Sequence, residues 1–285
     1  MTPYDELVQK TAALRDLGRS LPLGTFPPCP RIAVAADAPR VLLFSPHPDD
    51  ECIVGGLALR LLRESHWRVV NVAVTQGSKR DRQAARYAEL RAACDFLQFE
   101  LVPTGPHGLE GINPRTRGLD ATHWRAAVEI VARILREQAP RVVLFPHELD
   151  WNSTHIGTHF LLVDALKLLP PDFACYTIET EFWGQMPTPN LMVESSARDV
   201  GDLMAACSFH VGEVRRNPYH LSQTAWMQDN VRRGGELVGG QGQAAPDFVF
   251  ATLYRLRRWQ GGQMRPLYEG GRNLGLSDNP SSLFA

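Results

Sequence analysis

The sequence predicts an α/β fold in which a mostly parallel sheet is flanked by helices. Two observations carry that prediction. Short apolar, β-branched runs alternate along the chain with helical stretches of roughly 10–15 residues, the pattern of βαβ units with right-handed crossovers. The runs at 69–74 and 142–145 are almost wholly apolar, as suits strands buried on both faces. With 285 residues, 44% of them hydrophobic, the chain is long enough for one large core.

The elements follow in order. Residues 4–18 read as a helix, and a Pro-rich lead-in at 21–30 precedes the first strand at 41–44. A helix is expected over 51–64, a strand at 69–74, and a helix over 81–97. A helix over 122–137 leads into the strand 142–145, and a helix over 155–169 into a strand at 175–178. Residues 103–121, rich in Gly and Pro and carrying His107, read as a long functional loop. Residues 180–200 and 234–247 read as irregular; the second is Gly-rich but has neither P-loop nor dinucleotide-fingerprint spacing. The polar tail 270–285 reads as a surface extension. The expected division is a lead-in over 1–38, one α/β domain over 39–260 and an extension over 261–285.

Bulk properties narrow the function. A net charge of -1, from 30 basic and 31 acidic residues, argues against nucleic acid or an anionic membrane surface as partner. The five cysteines are scattered without a CxxC pair, which suits reduced thiols in a cytoplasmic protein. No basic segment leads into an apolar one at the N-terminus, so no signal peptide is expected. The apolar run 160–169 is broken by Asp164 and Lys167, far short of the roughly 20 residues of a membrane span, so no membrane insertion is expected. The expected partner is a small molecule, met by a monomer or a homo-oligomer.

Chemistry concentrates in His47-Pro48-Asp49-Asp50-Glu51, placed where a buried strand gives way to a helix. Open α/β sheets put their chemistry at such carboxyl ends. Pro48 suits a first helical turn, and the acidic residues after it suit the helix dipole. Neither explains the imidazole beside three carboxylates; a divalent cation does. His47 and Asp50, three apart, can converge on one ion, with Asp49 aimed at its water. A third ligand is expected from the next such junction, where His147, His155 and His159 fall within 13 residues of a chain that has only nine His. His155 and His159 share a face of a helix starting near Thr154. Asn152-Ser153-Thr154 matches a glycosylation sequon, an accidental match in a cytoplasmic chain. There is no Gly-x-Ser-x-Gly elbow and no HExxH string, which argues against serine hydrolases and that class of metalloprotease. Of the rim residues after the second strand, Ser78, Lys79, Arg80, Arg82 and Arg86, the run Lys79-Arg80-Asp81-Arg82 reads as a solvated helix start, whereas Arg86, Trp151, His107 and His220 are candidate substrate contacts.

These motifs resemble the PIG-L/LmbE family of zinc-dependent N-acetylglucosaminyl de-N-acetylases. The match rests on His47-Pro48-Asp49-Asp50-Glu51 with Gly55-Gly56 in the following helix, and on Asp150 before the segment ending at His155. Thr75-Gln76-Gly77 with Arg86-Tyr87-Ala88-Glu89 adds to it. Weaker similarity continues at Ser222-Gln223 and 244–248, so the resemblance covers about 40–255. It implies a three-layer Rossmann-like (LmbE-like) fold. It also implies Zn2+, or Fe2+ on the same donors, held by His47, Asp50 and His155, with Asp49 as general base. On the preferred register the family's His-x-x-His falls on 152–155, so Asn152 replaces the His that contacts the developing oxyanion; the alternative register pairs His155 with His159 and leaves the third ligand between those two. An amide donates that hydrogen bond but supplies no proton, which passes proton donation to Asp49, His159 or His220. Arg86, Trp151 and His220 would meet the substrate, although Arg86 can also serve as an ion-pair partner of Glu89 or Asp50. The implied reaction removes an N-acetyl group from a small N-acetylglucosamine-type conjugate with metal-activated water. The alternatives are a catalytically silent binding protein and an amidase for a non-sugar N-acyl substrate.

Overall fold

The computed structural model describes residues 2–285. Helix α1 (Pro3–Arg19) begins after Thr2 with Pro at its first turn, and none of its residues is buried. Strand β1 (Arg40–Ser45) follows the lead-in. Two short helices, α2 (Asp50–Ile53) and α3 (Leu57–Ser65), lead to β2 (Arg68–Ala73). Next come α4 (Arg80–Leu97), β3 (Glu100–Pro103), α5 (Pro114–Leu119) and α6 (Ala121–Gln138). Then follow β4 (Val142–Pro146), α7 (Ser153–Leu166) and β5 (Cys175–Thr180). The chain continues through β6 (Leu191–Glu194), α8 (Ala197–Cys207), α9 (Val211–Val214) and α10 (Gln223–Leu237). It ends with β7 (Ala251–Gln260), β8 (Gln263–Pro266) and β9 (Arg272–Leu274).

All the strands join one sheet, in the order β3-β2-β1-β4-β5-β7-β6-β9, with β8 on β7. The first five run parallel and β7 antiparallel to its neighbours. The chain moves outward from β1 to β3 and then returns to β4 on the other side of β1. That reversal opens a crevice beyond the carboxyl ends of β1 and β4, where such sheets bind ligands. Separate apolar clusters fill the two faces. One packs α3, α4 and α8 against the sheet, the other α6 and α7, giving three layers. No helix among the described residues is long and apolar enough to cross a membrane. The cysteines are free thiols.

Four expectations need correction. The helix over 51–64 is broken between α2 and α3. Gly55 has φ +88, and a Cβ there would collide with Thr252 and the Tyr254 hydroxyl on β7. That hydroxyl donates to Val54 O at 2.9 Å, tying the break to the sheet. Residues 180–200 contain β6 and the start of α8, and α10 runs on to Leu237. Residues 103–121 contain α5, capped by Asn113, whose side chain accepts from Thr116 N. The tail is no surface extension, because β9 pairs with β6 and Phe284 packs on Trp67 and Tyr176. Arg60 explains part of this. It is wholly buried, and its guanidinium needs acceptors. Glu64 and the carbonyls of Glu194, Gly275 and Asp278 supply them, and the last two lie in the tail.

Gly55→Ala is expected to lower unfolding free energy by about 2 kcal/mol or more, through strained φ and overlap. Gly201→Ala, inside α8 with open space around it, should be neutral or stabilising by up to about 1 kcal/mol. Urea denaturation of both variants checks the contrast, and equal effects would contradict it.

Candidate metal centre

Three side chains converge at the β1/β4 crevice. His47 lies in the loop after β1, Asp50 opens α2, and His155 sits in the first turn of α7. His47 Nδ1 lies 3.2 Å from His155 Nε2 and 3.5 Å from Asp50 Oδ2. His155 Nε2 lies 3.3 Å from the same carboxylate oxygen. Donors about 2.0–2.1 Å from a tetrahedral ion sit roughly 3.3–3.4 Å from one another, so the triangle has the edge lengths of one face of such a site. Asp50 Oδ1 is buried without a hydrogen-bond partner. The donor set therefore fits a divalent cation. Behind it, His155 Nδ1 lies 3.6 Å from Asp150 Oδ2, the carboxylate–histidine arrangement that orients a metal ligand. Asp150 is itself fixed by the backbone N–H groups of Asn152, Trp183 and Gly184.

Charge reflects the same crowding. Burial works to raise the Asp50 pKa, but His155 and His47 outweigh it and hold the carboxyl well below its ordinary value. For His155, burial opposes protonation, yet Asp50 and Asp150 lift its pKa to about 10.

Asp49 stands beside this triangle in a strained backbone, with φ 114. Its N–H donates to Glu51 Oε2 at 3.0 Å, and Glu51 Oε1 meets His210 Nε2 at 2.6 Å. Glu51 and His210 are wholly buried; burial disfavours the charged imidazole, but Glu51 outweighs it and raises its pKa. Tyr219 donates its hydroxyl to Asp49 Oδ2, and Arg86 Nη2 lies 3.8 Å from that oxygen. Burial, then the charge of Asp50, pushes Asp49 up to about 7, against the pull of His210, Tyr219 and Arg86. Arg86 is held by donating to Pro48 O at 2.9 Å. Gly77, with φ +83, leaves it room, because a Cβ there would collide with Nη1.

The other expected residues divide sharply. Asn152 caps α7, its side-chain oxygen accepting Thr154 N at 2.8 Å. It lines a cavity of about 590 Å³ together with His47, Gly77, Arg86 and Asn113. His159 does not join the triangle. Its Nδ1 donates to Pro146 O at 3.1 Å and lies 3.5 Å from Glu179, in a cluster that includes Glu148. The carboxylate it meets there comes from β5, and the proton donation expected of it at the triangle is neither shown nor required. His147 uses both ring nitrogens, on Gly184 O and Leu149 N. Trp151 is 77% exposed and lies outside the cavity lining. His220 is buried beside Tyr219, its Nδ1 without a partner among the described residues, and burial lowers its pKa. The ion-pair partners of Arg86 are Asp49 and Glu213, neither Asp50 nor Glu89. His210 and Tyr219 went unread in the sequence. They lie more than 150 residues from the carboxylates they touch, and no local motif marks them.

Residues 42–166 match the family model PIG-L, described as GlcNAc-PI de-N-acetylase. The chain is 25% identical over 256 residues to 2'-N-acetylparomamine deacetylase of Streptomyces fradiae, covering 82% of this chain and 85% of that one. The fold matches N,N'-diacetylchitobiose deacetylase of Pyrococcus horikoshii with a TM-score of 0.56 at 17% identity, over 94% of this chain and 98% of that one. It also matches 4-carboxy-2-hydroxymuconate hydratase of Pseudomonas putida, with a TM-score of 0.53 at 16% identity, over 76% of this chain and 95% of that one. These two likenesses concern the fold alone.

His155 keeps a proton below about pH 10 in the metal-free protein, so an ion binding there must displace it. Metal affinity should therefore rise with pH, and binding should release protons. Titration calorimetry in buffers of different ionisation heat should give about one ion per chain with proton release. Heats that do not vary with the buffer would count against this site.

Proposed function

From the PIG-L family domain that residues 42–166 carry, we propose that this chain is a metal-dependent deacetylase of a small amino-sugar conjugate. The observation behind the reading is the triangle of His47, Asp50 and His155 with a fourth side chain beside it, the carboxylate of Asp49 on a strained backbone. Holding an ion does not require Asp49; a proton transfer does.

His47, Asp50 and His155 would hold the ion, and we assign it as Zn2+, with Fe2+ compatible with the same donors. Such an ion polarises the amide carbonyl and acidifies water. Asp49 takes the proton of the attacking water as its oxygen bonds to the acetyl carbon. The C–N bond then breaks, and Asp49 returns the proton to the departing amine, leaving acetate and a free amino sugar. Tyr219 and Arg86 hold the Asp49 carboxylate in place between the two transfers. Asn152 offers its amide N–H to the oxyanion. With His159 engaged elsewhere, proton delivery falls to Asp49. Arg86 and His220 are assigned as substrate contacts. The relative named for an amino-sugar substrate, 2'-N-acetylparomamine deacetylase, supports that substrate class. Five unpaired thiols suit the cytoplasm.

Asp49→Asn should lower kcat by about 10³-fold or more while the ion stays bound, read by acetate release and metal analysis. Retained turnover would refute the base assignment, and a metal-loaded wild type inert on a broad N-acetyl-sugar panel would favour a binding role. Asp49 acts only when ionised, and a nearby dication draws its pKa down from about 7. The acidic limb of kcat/KM should therefore have its midpoint at or below about pH 7, and Asp49→Glu should shift it. Asn152→Ser keeps a capping oxygen but removes the amide donor, so it should lower kcat by roughly 10²-fold with little change in unfolding.

A further inference from the structure

The peptide between Pro48 and Asp49 is held at both edges. Its carbonyl, Pro48 O, accepts from Arg86 Nη2 at 2.9 Å. Its N–H, that of Asp49, donates to Glu51 Oε2 at 3.0 Å. Neither holder stands alone. Glu51 Oε1 meets His210 Nε2 at 2.6 Å, and Cys52 Sγ donates to the same oxygen at 3.1 Å. Arg86 Nε lies 3.9 Å from Glu213, which also pairs with Arg82 and Arg216. His210 caps α9 and Glu213 lies within it, so both relays end on one short segment. That segment is fixed to α4 in turn, because Gly212 N donates to Glu89 Oε1 at 2.9 Å.

The orientation of this peptide sets φ at Asp49, which is 114. Residues with a Cβ avoid that region, and one that occupies it relaxes unless its surroundings over-determine it. Hydrogen bonds at opposite edges of the peptide supply that constraint. The direction in which the Asp49 carboxylate leaves the chain follows from it. His210 has no second task. It is wholly buried, its Nδ1 has no partner among the described residues, and its ring makes one hydrogen bond, to Glu51. Buried ion pairs add little net stability, so cohesion alone is a weak reason for this one.

We propose that His210 is a positioning residue for the reaction. Acting through Glu51, and together with the Glu213–Arg86 relay, it clamps the peptide between Pro48 and Asp49 and keeps the Asp49 carboxylate aimed at the attacking water. It does not touch the substrate, so it governs kcat and not KM. This rests on the deacetylase reading above, with Asp49 as base, and it adds a residue remote in sequence on which that base depends.

Two amides at position 210 separate the contact from the fold. In His210→Gln the side-chain amide reaches about as far as Nε2 and can still donate to Glu51. In His210→Asn it ends near the place of Nδ1, short of that carboxylate. With the ion loaded, His210→Asn should lower kcat for acetate release about 10²-fold, with KM within about twofold and metal content unchanged. His210→Gln should keep kcat within about tenfold of the wild type. Crystal structures of the two variants should show Asp49 at positive φ in His210→Gln and outside that region in His210→Asn. Equal rates in the two variants, a loss in His210→Asn with φ unchanged, or a changed φ with kcat intact would each overturn the clamp. A wild type inert on N-acetyl sugars would instead refute the deacetylase reading. The comparison of φ then stands by itself: a change in His210→Asn supports the clamp, and no change overturns it. Should neither variant fold, Glu213→Gln, which keeps the side-chain shape and removes the charge facing Arg86, carries the test. Its kcat should fall about fivefold, and a full rate would overturn the clamp.

Discussion

The structure turns on one constraint: Asp49, Asp50 and Glu51 are consecutive carboxylates, and all three are buried at the end of β1. Burying like charges side by side is prohibitive unless each has its own compensation. Glu51 has His210, Asp50 has His47 and His155, and Asp49 has Tyr219 with Arg86 nearby. These partners come from α4, α7, the cap of α9 and the 3-10 turn Tyr219–Ser222, so much of the chain must fold before the loop after β1 is neutralised.

The same constraint divides labour among the three. Glu51 accepts the Asp49 N–H and thereby fixes the strained φ that turns the Asp49 side chain away from its neighbour's direction. Asp50 turns Oδ2 toward both histidines and keeps Oδ1 buried without a partner. Of the three, Asp50 is the one that joins the triangle with His47 and His155, while burial and the charge of Asp50 push Asp49 up to about 7. The Gly55-Gly56 break then lets β7 approach, so the antiparallel half of the sheet braces the loop that carries the chemistry.

A second buried network shows why neighbouring histidines receive different work. Glu179 on β5 takes Arg255 and Arg257 from β7 and draws His159 toward itself. His155, one helical turn earlier, faces Asp50 and Asp150 instead. Both lie on the same helix, so the split comes from which strand end each meets.

The sequence by itself determined the strand–helix alternation around β1, β2, β4 and β5, the mostly parallel sheet they form, and the ends of β1 and β4 as the place of the chemistry. It also put His47 and Asp50 within reach of one another and narrowed the third donor to His155 or His159. Those features follow from periodicity and from spacing within a turn, which neighbouring residues set. Only the tertiary structure decided between the two histidines, broke the helix at Gly55, gave Asp49 its positive φ, drew the tail into the sheet, and supplied His210 and Tyr219. Each of those outcomes depends on charges and volumes from remote segments meeting at one point. No local pattern encodes that encounter, because the cost of a buried carboxylate is settled by whatever packs against it.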